Sequence, residues 1–109
     1  TMEFNMIFAI CPADKVDEII NSAKRAGATG ATIINARGTG HKEVITFFGL
    51  TLDMPQNALA LLVERSISNN IMRAVYSAGN MEEAGNGICF SLNVDSVLGL
   101  ESQLSVNKK

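Results

Sequence analysis

The sequence predicts an α+β fold in which a four-stranded antiparallel sheet carries two helices on one face. Three observations lead there. Two strand–helix–strand units of similar length follow one another along 109 residues. Pro12, Gly27, Pro55, Gly79, Gly85 and Gly87 punctuate the chain between them. A content of 47% apolar against 18% charged residues suits one globular domain, here residues 1–109, with a core of its own. Two such units in series read as the ferredoxin-like βαββαβ sandwich.

The first strand is "FNMIFAIC", residues 4 to 11, a short apolar run stopped by Pro12. Asp14 then offers an N-cap to "KVDEIINSAKRAG", where Val16, Ile19, Ile20 and Ala23 share one helical face. Asp17 and Glu18 in its early turns, Lys24 and Arg25 in its last, and Gly27 beyond suit the helix dipole and a glycine C-cap. "GATIINAR" supplies the second strand through β-branched Thr32, Ile33 and Ile34. "EVITFFG" reads as extended within a less regular stretch, and Pro55 leads into "QNALALLVE". There Leu59, Leu61 and Val63 alternate, while apolar Leu62 implies cover on the second face as well. In "RSISNNIMRAVYSAGN", Ile67, Ile71, Met72, Val75 and Tyr76 form a helix face, with Ser66 or Ser68 as cap and Gly79 as terminator. "MEEAGNG" is a loop, and "ICFSLNV" is the last strand.

Sparse charge in the strands leaves the sheet face away from the helices apolar. Burial against other subunits is the economical cover for it.

Composition also excludes. A net charge of −2 and scattered basic residues give no electrostatic footprint for nucleic acid. No stretch approaches the ~20 apolar residues of a membrane span, so direct insertion is not expected. "TMEFNMIFAIC" has no charged leader and enters a strand at once, unlike a signal peptide; Thr1 ahead of Met2 reads as a cloning remnant. Cys11 and Cys89 have no metal or redox spacing and read as small buried hydrophobes in a reducing, cytoplasmic setting.

No catalytic constellation forms. His41 is the sole histidine, Glu82-Glu83 reads as a surface turn, and Ser66, Ser68 and Ser77 lack a base. No metal ligand set is expected.

Two glycine-rich stretches at strand ends are the chemical candidates: "ARGTG" at 36–40 and "EAGNGI" at 83–88. Glycine there either turns the chain cheaply or leaves amides bare to hold an anion, most often phosphate. The third candidate is the stretch from His41 to Met54. It is long for such a small domain, and Phe47, Phe48, Leu50 and Leu52 make it too apolar for ordinary disorder. It reads either as a hairpin packed on a neighbour or as a moving loop that docks a partner.

With these residues in view, the chain resembles the PII signal-transduction superfamily over nearly its whole length. "AGATGATIINARGTG" is similar to that family's helix end, second strand and the start of its T-loop; "PQNALALLVE" resembles its third strand. "AGNGICFSLNVDSVLGL" resembles its B-loop, fourth strand and C-terminal turn. The resemblance implies a homotrimer that binds an adenine nucleotide (ADP, ATP or AMP) between subunits. It also implies a T-loop, residues 38–54, whose rearrangement reports energy status to a partner protein or transporter through residues 41–54. The B-loop would be 80–87 and the C-terminal tail 99–109. Carried over residue by residue, Thr32 and Leu62 fall where the family holds adenine, and Ile10 matches there more weakly. Arg37, Gly38, Thr39 and Gly40 fall at the T-loop base, and Gly85, Asn86, Gly87 and Ile88 in the B-loop.

There are departures. Asn86 stands for an acid and Ile88 for a lysine; Gly99 and Glu101 stand for two phosphate-binding arginines. The T-loop is short and lacks the modified tyrosine and the glutamine that serves 2-oxoglutarate, and Gln56 replaces a supporting lysine. Charge-assisted contacts to phosphate are the strong ones, so 2-oxoglutarate sensing is not expected, and ADP or AMP asks for less neutralisation than ATP. The alternative is a trimeric interaction module with a decayed nucleotide site that holds its partner constitutively. Slow hydrolysis using Glu43 or His41, or a cyclic-dinucleotide receptor, are more distant readings.

Overall fold

Strand β1 (Phe4–Pro12) alternates between half-buried and buried residues from Phe4 to Cys11, as period-2 geometry requires, and Pro12 is buried as well. The structure, a computed structural model, describes residues 3–36, 45–47, 50–52 and 56–100. A 3₁₀ turn (Ala13–Lys15) carries β1 into helix α1 (Val16–Arg25), and β2 (Thr32–Ala36) follows. Short strands β3 (Ile45–Phe47) and β4 (Leu50–Leu52) pair as a separate hairpin within the 41–54 stretch. Then come β5 (Gln56–Glu64), a 3₁₀ turn (Arg65–Ile67), helix α2 (Ser68–Ala78) and β6 (Ile88–Val94).

The main sheet has the order β2-β5-β1-β6, antiparallel throughout. This is the predicted ferredoxin-like βαββαβ sandwich. Both helices lie on the face bearing Ile7, Ala9 and Cys11 of β1 and Leu59, Leu61 and Val63 of β5, all buried. Val16, Ile19 and Ala23 of α1 and Ile71 and Val75 of α2 complete that core at i, i+3, i+4 and i+7 spacings. Each fully buried aliphatic side chain contributes roughly 1.5–3 kcal/mol. Ser22 Oγ donates to the Ala74 carbonyl at 3.2 Å and ties the helices together.

The helix starts differ from the predicted caps. Asp14 does not cap α1, and no side chain bonds its first amides; the N-cap position is Lys15, already near helical geometry at φ −98, ψ −8. Neither Ser66 nor Ser68 caps α2. In both cases a 3₁₀ turn leads directly into the helix, so the extended residue that a capping side chain needs is missing. Ser68 is instead buried and accepts a hydrogen bond from Asn5 Nδ2 at 3.1 Å. Tyr76, assigned to the apolar face, is 45% exposed.

The helix ends are built alike. In α1, Gly27 N–H donates to Lys24 O at 3.0 Å and Ala28 N–H to Ala23 O at 2.9 Å. In α2, Asn80 N–H donates to Ser77 O at 3.1 Å and Met81 N–H to Tyr76 O at 3.0 Å. Both are the paired 5→2 and 6→1 bonds of a Schellman end. The predicted terminator Gly79 is the C-cap, and Asn80 takes the left-handed position at φ 51.

Candidate functional site

The loop between α2 and β6 starts from that left-handed asparagine. The Asn80 carbonyl accepts the Glu83 N–H at 3.2 Å and the Asn86 side-chain amide Nδ2 at 2.9 Å, and Asn86 N–H donates to Glu83 O at 3.3 Å. Residues 80–86 thus close on themselves. Gly85 (φ 89) has no neighbouring atoms where a Cβ would stand. Gly87 (φ 109) is the opposite case: a Cβ there would collide with the Ile10 carbonyl oxygen and come within 3.1 Å of Cys11 Cα. Of the two uses of glycine, Gly87 serves close approach, and what approaches is the chain's own first strand. Ile88, next along, pairs with Ile10 across β1–β6.

The second group lies elsewhere. Thr32 on β2 sits opposite Ala60 on β5, and Leu62 follows Ala60 on the same face. Thr32 is exposed and Leu62 half-buried. The structure therefore brings Thr32 and Leu62 together, and separately Ile10, Gly87 and Ile88.

Thr32 and the Gly87–Ile88 pair occupy opposite edges of one sheet, because β2 and β6 are its outer strands, while Leu62 and Ile10 stand on the inner strands β5 and β1 beside them. Three inter-strand steps part Thr32 from Ile88, about 14 Å at ~4.8 Å each. Between them the face away from the helices presents Ala58 and Ala60 of β5, Met6 and Phe8 of β1, and Phe90 of β6. Phe8 and Phe90 stack at 5.6 Å. Leu92, on the same face opposite Met6, is 53% exposed. The apolar second face expected from the strand composition is present.

Both cysteines are free thiols. Burial, with a smaller contribution from the Asp14 charge, pushes Cys11 from the ordinary 9.0 up to about 11, and burial raises Cys89 too. They pack as the small hydrophobes expected. Among the described residues, no three His, Cys, Asp or Glu side chains converge as a metal site requires.

Arg37, Gly38, Thr39 and Gly40 lie outside the described residues, as do His41, Lys42, Glu43 and Glu101. Sequence reasoning passed over Asn80, which holds the loop; the signal was the Gly-Asn pair after a helical run, since asparagine tolerates the left-handed region best after glycine. It also passed over the network of Glu3, Asn5, Arg65 and Ser68 at the far end of the sheet, which has no local motif.

The family model of nitrogen regulatory protein P-II matches residues 4–103. This chain belongs to the P-II family. It is a P-II signalling protein by that membership. Among solved structures, the P-II chain is similar to Arabidopsis thaliana PII bound to citrate, with a TM-score of 0.71 and 16% identity over 94% of this chain and 84% of that one. It is also similar to a Thermus thermophilus protein assigned to PII-like signalling, with a TM-score of 0.62 and 18% identity over 84% of this chain and 86% of that one. At these identities the likeness carries the fold. No curated protein matches the P-II chain. No helix among its described residues is long and apolar enough to cross a membrane.

Proposed function

We propose that this P-II protein is a homotrimeric sensor that binds an adenine nucleotide at the boundary between neighbouring copies. The observation that carries the reading is the placement of Thr32 and the Gly87–Ile88 pair on opposite sheet edges. A nucleotide laid from Thr32 to Gly87 within one copy would run its sugar and phosphates over Phe8 and Phe90, an apolar surface. Copies that meet through that apolar face bring the Thr32 edge of one, with Leu62 on the strand next to it, beside the Gly87–Ile88 edge of the next. Thr32 and Leu62 then hold the base, while Arg37, Gly38, Thr39 and Gly40 join Gly85, Asn86, Gly87 and Ile88 around the phosphates. Asn86 N–H is already engaged with Glu83 O, so the flanking glycine amides do that work.

Nucleotide shifts the population of arrangements of the T-loop (38–54), and a partner protein or membrane transporter reads residues 41–54. Such a shift is as large as the difference in nucleotide affinity for the two arrangements, no more. The chemistry asked of the protein is recognition, not catalysis, and the setting is the cytoplasm. In this reading the B-loop spans 80–87 and the C-terminal tail 99–109.

The test is calorimetric titration of ATP, ADP and AMP, with and without magnesium, alongside light scattering for the oligomer. Micromolar binding of one of them to a trimer is the expected result. A trimer that binds none overturns the sensor and leaves the constitutive interaction module, which Ile88 in place of a phosphate-binding cation favours. A monomer overturns both.

A further inference from the structure

We propose that Asn86 is a positioning residue: its neutral side-chain amide clasps the loop 80–87 onto the end of α2, so that the loop is set by its own bonds and needs none from a ligand. The contacts form a closed triangle. Asn80 O accepts from Glu83 N–H and from Asn86 Nδ2, and Asn86 N–H returns to Glu83 O. The anchor is firm because Asn80 is the left-handed residue that closes the Schellman end of α2, held at φ 51 with its own N–H bonded to Ser77 O. The far end is equally fixed, because Gly87 lies against the Ile10 carbonyl with no space for a side chain. Between these anchors Gly85 has open space around it. The loop is therefore two fixed ends with one unencumbered tip.

The clasp depends on donation. An amide NH₂ donates to a carbonyl oxygen; an ionised carboxylate of the same shape presents an acceptor and repels it. Asn86→Asp should open the loop near neutral pH and close it again when the new carboxyl is protonated, which for an unperturbed aspartate centres near pH ~3.9. The titratable and charged groups on the surrounding elements are Glu82 and Glu83 in the loop and Cys11 on β1 with Asp14 beyond it. Arg73 and Tyr76 lie on α2, Cys89 on β6, and Asp17, Glu18, Lys24 and Arg25 on α1, which packs against α2. The wild-type chain carries them all and is the control at each pH.

Amide hydrogen exchange of the ligand-free chain reads the clasp directly at Glu83 and Asn86. Asn86→Ala and Asn86→Asp should exchange there about three- to ten-fold faster than wild type at pH 7, the size of one hydrogen bond. Near pH 4, protection in Asn86→Asp should return toward wild type, while Asn86→Ala stays open. Wild-type exchange rates in either variant at pH 7, or an Asn86→Asp loop that stays open once protonated, overturn the proposal. The measurement contains no nucleotide, so failure of the sensor reading leaves it standing, and its failure leaves the titration result intact.

Discussion

The two ends of the sheet are held by opposite means. At the end where β1 begins and β5 finishes, side chains do the work. Arg65 donates through Nη1 to Glu3 Oε2 at 2.7 Å, through Nε to Asn5 Oδ1 at 2.9 Å and through Nη2 to Phe4 O at 3.3 Å. Asn5 passes the network on to Ser68. At the other end, where β1 finishes and β6 begins, backbone meets backbone: Gly87 against Ile10, and the Asn80 carbonyl gathering its loop. The first end has its polar groups committed to one another and offers little to a visitor. The second is built from main chain and small residues, which is what lets β1 come close at Gly87.

The largest effect should come from filling the bare end. Gly87→Ala adds a Cβ that meets a carbonyl oxygen of a central strand while φ stays at 109, and neither can yield cheaply. A loss of about 3 kcal/mol or more is expected from the collision and the left-handed strain together. Urea unfolding at fixed protein concentration measures it. A loss below about 1 kcal/mol would mean that β1 and the loop are not in contact as described.

Next is the side-chain end. Arg65→Ala removes three donor contacts and strips Asn5, which is 9% exposed, of a partner for its Oδ1. About 2 kcal/mol is expected, since leaving a buried acceptor unmatched is the costly part. Glu3→Ala should cost under about 1 kcal/mol, because that ion pair is largely solvated, with 65% exposure at the glutamate. Equal losses in the two variants would place the weight on the ion pair instead of on Asn5.

The same contrast explains what the sequence disclosed. Strands β5 and β6 match the predicted "QNALALLVE" and "ICFSLNV" residue for residue, because alternation and flanking turn residues are local signals. The core residues of α1 follow from spacing in the same way. The caps assigned to Asp14 and to Ser66 or Ser68 did not form, since a 3₁₀ lead-in is decided by how the preceding strand aims the chain, not by the cap residue. Strand order, and with it the separation of Thr32 from Gly87, is a property of the assembled sheet. Leu62 and Ile10 were named through resemblance; that one sits at each half of the site needed the register.

A pH profile extends the comparison to the thiol beside Gly87. Cys11 keeps its proton up to about 11 in the folded chain, while the unfolded thiol releases it near the ordinary 9.0. The unfolded state therefore binds fewer protons between those values, and stability falls with rising pH there. It should be level with respect to Cys11 below about pH 9 and decline toward about 11. Cys11→Ala, less stable at neutral pH for its lost packing, should show a shallower alkaline decline. Parallel declines in the two proteins would assign the loss to other groups.

At the bare end the smaller effect should be at Gly85, and it separates two uses of glycine within three residues of chain. Gly85 and Gly87 both have positive φ, 89 and 109, so both substitutions carry left-handed strain. At Gly85 a Cβ enters open space. Gly85→Ala should therefore cost about 1–2 kcal/mol of conformational strain and no collision. If both alanine variants unfold alike, the backbone angle alone explains the glycines. If Gly87→Ala is much the worse while Gly85→Ala folds nearly normally, Gly87 is kept for packing on β1. Gly85 is then the position that leaves the tip bare, and on the proposed sensor reading a side chain there should weaken nucleotide binding more than it weakens the fold.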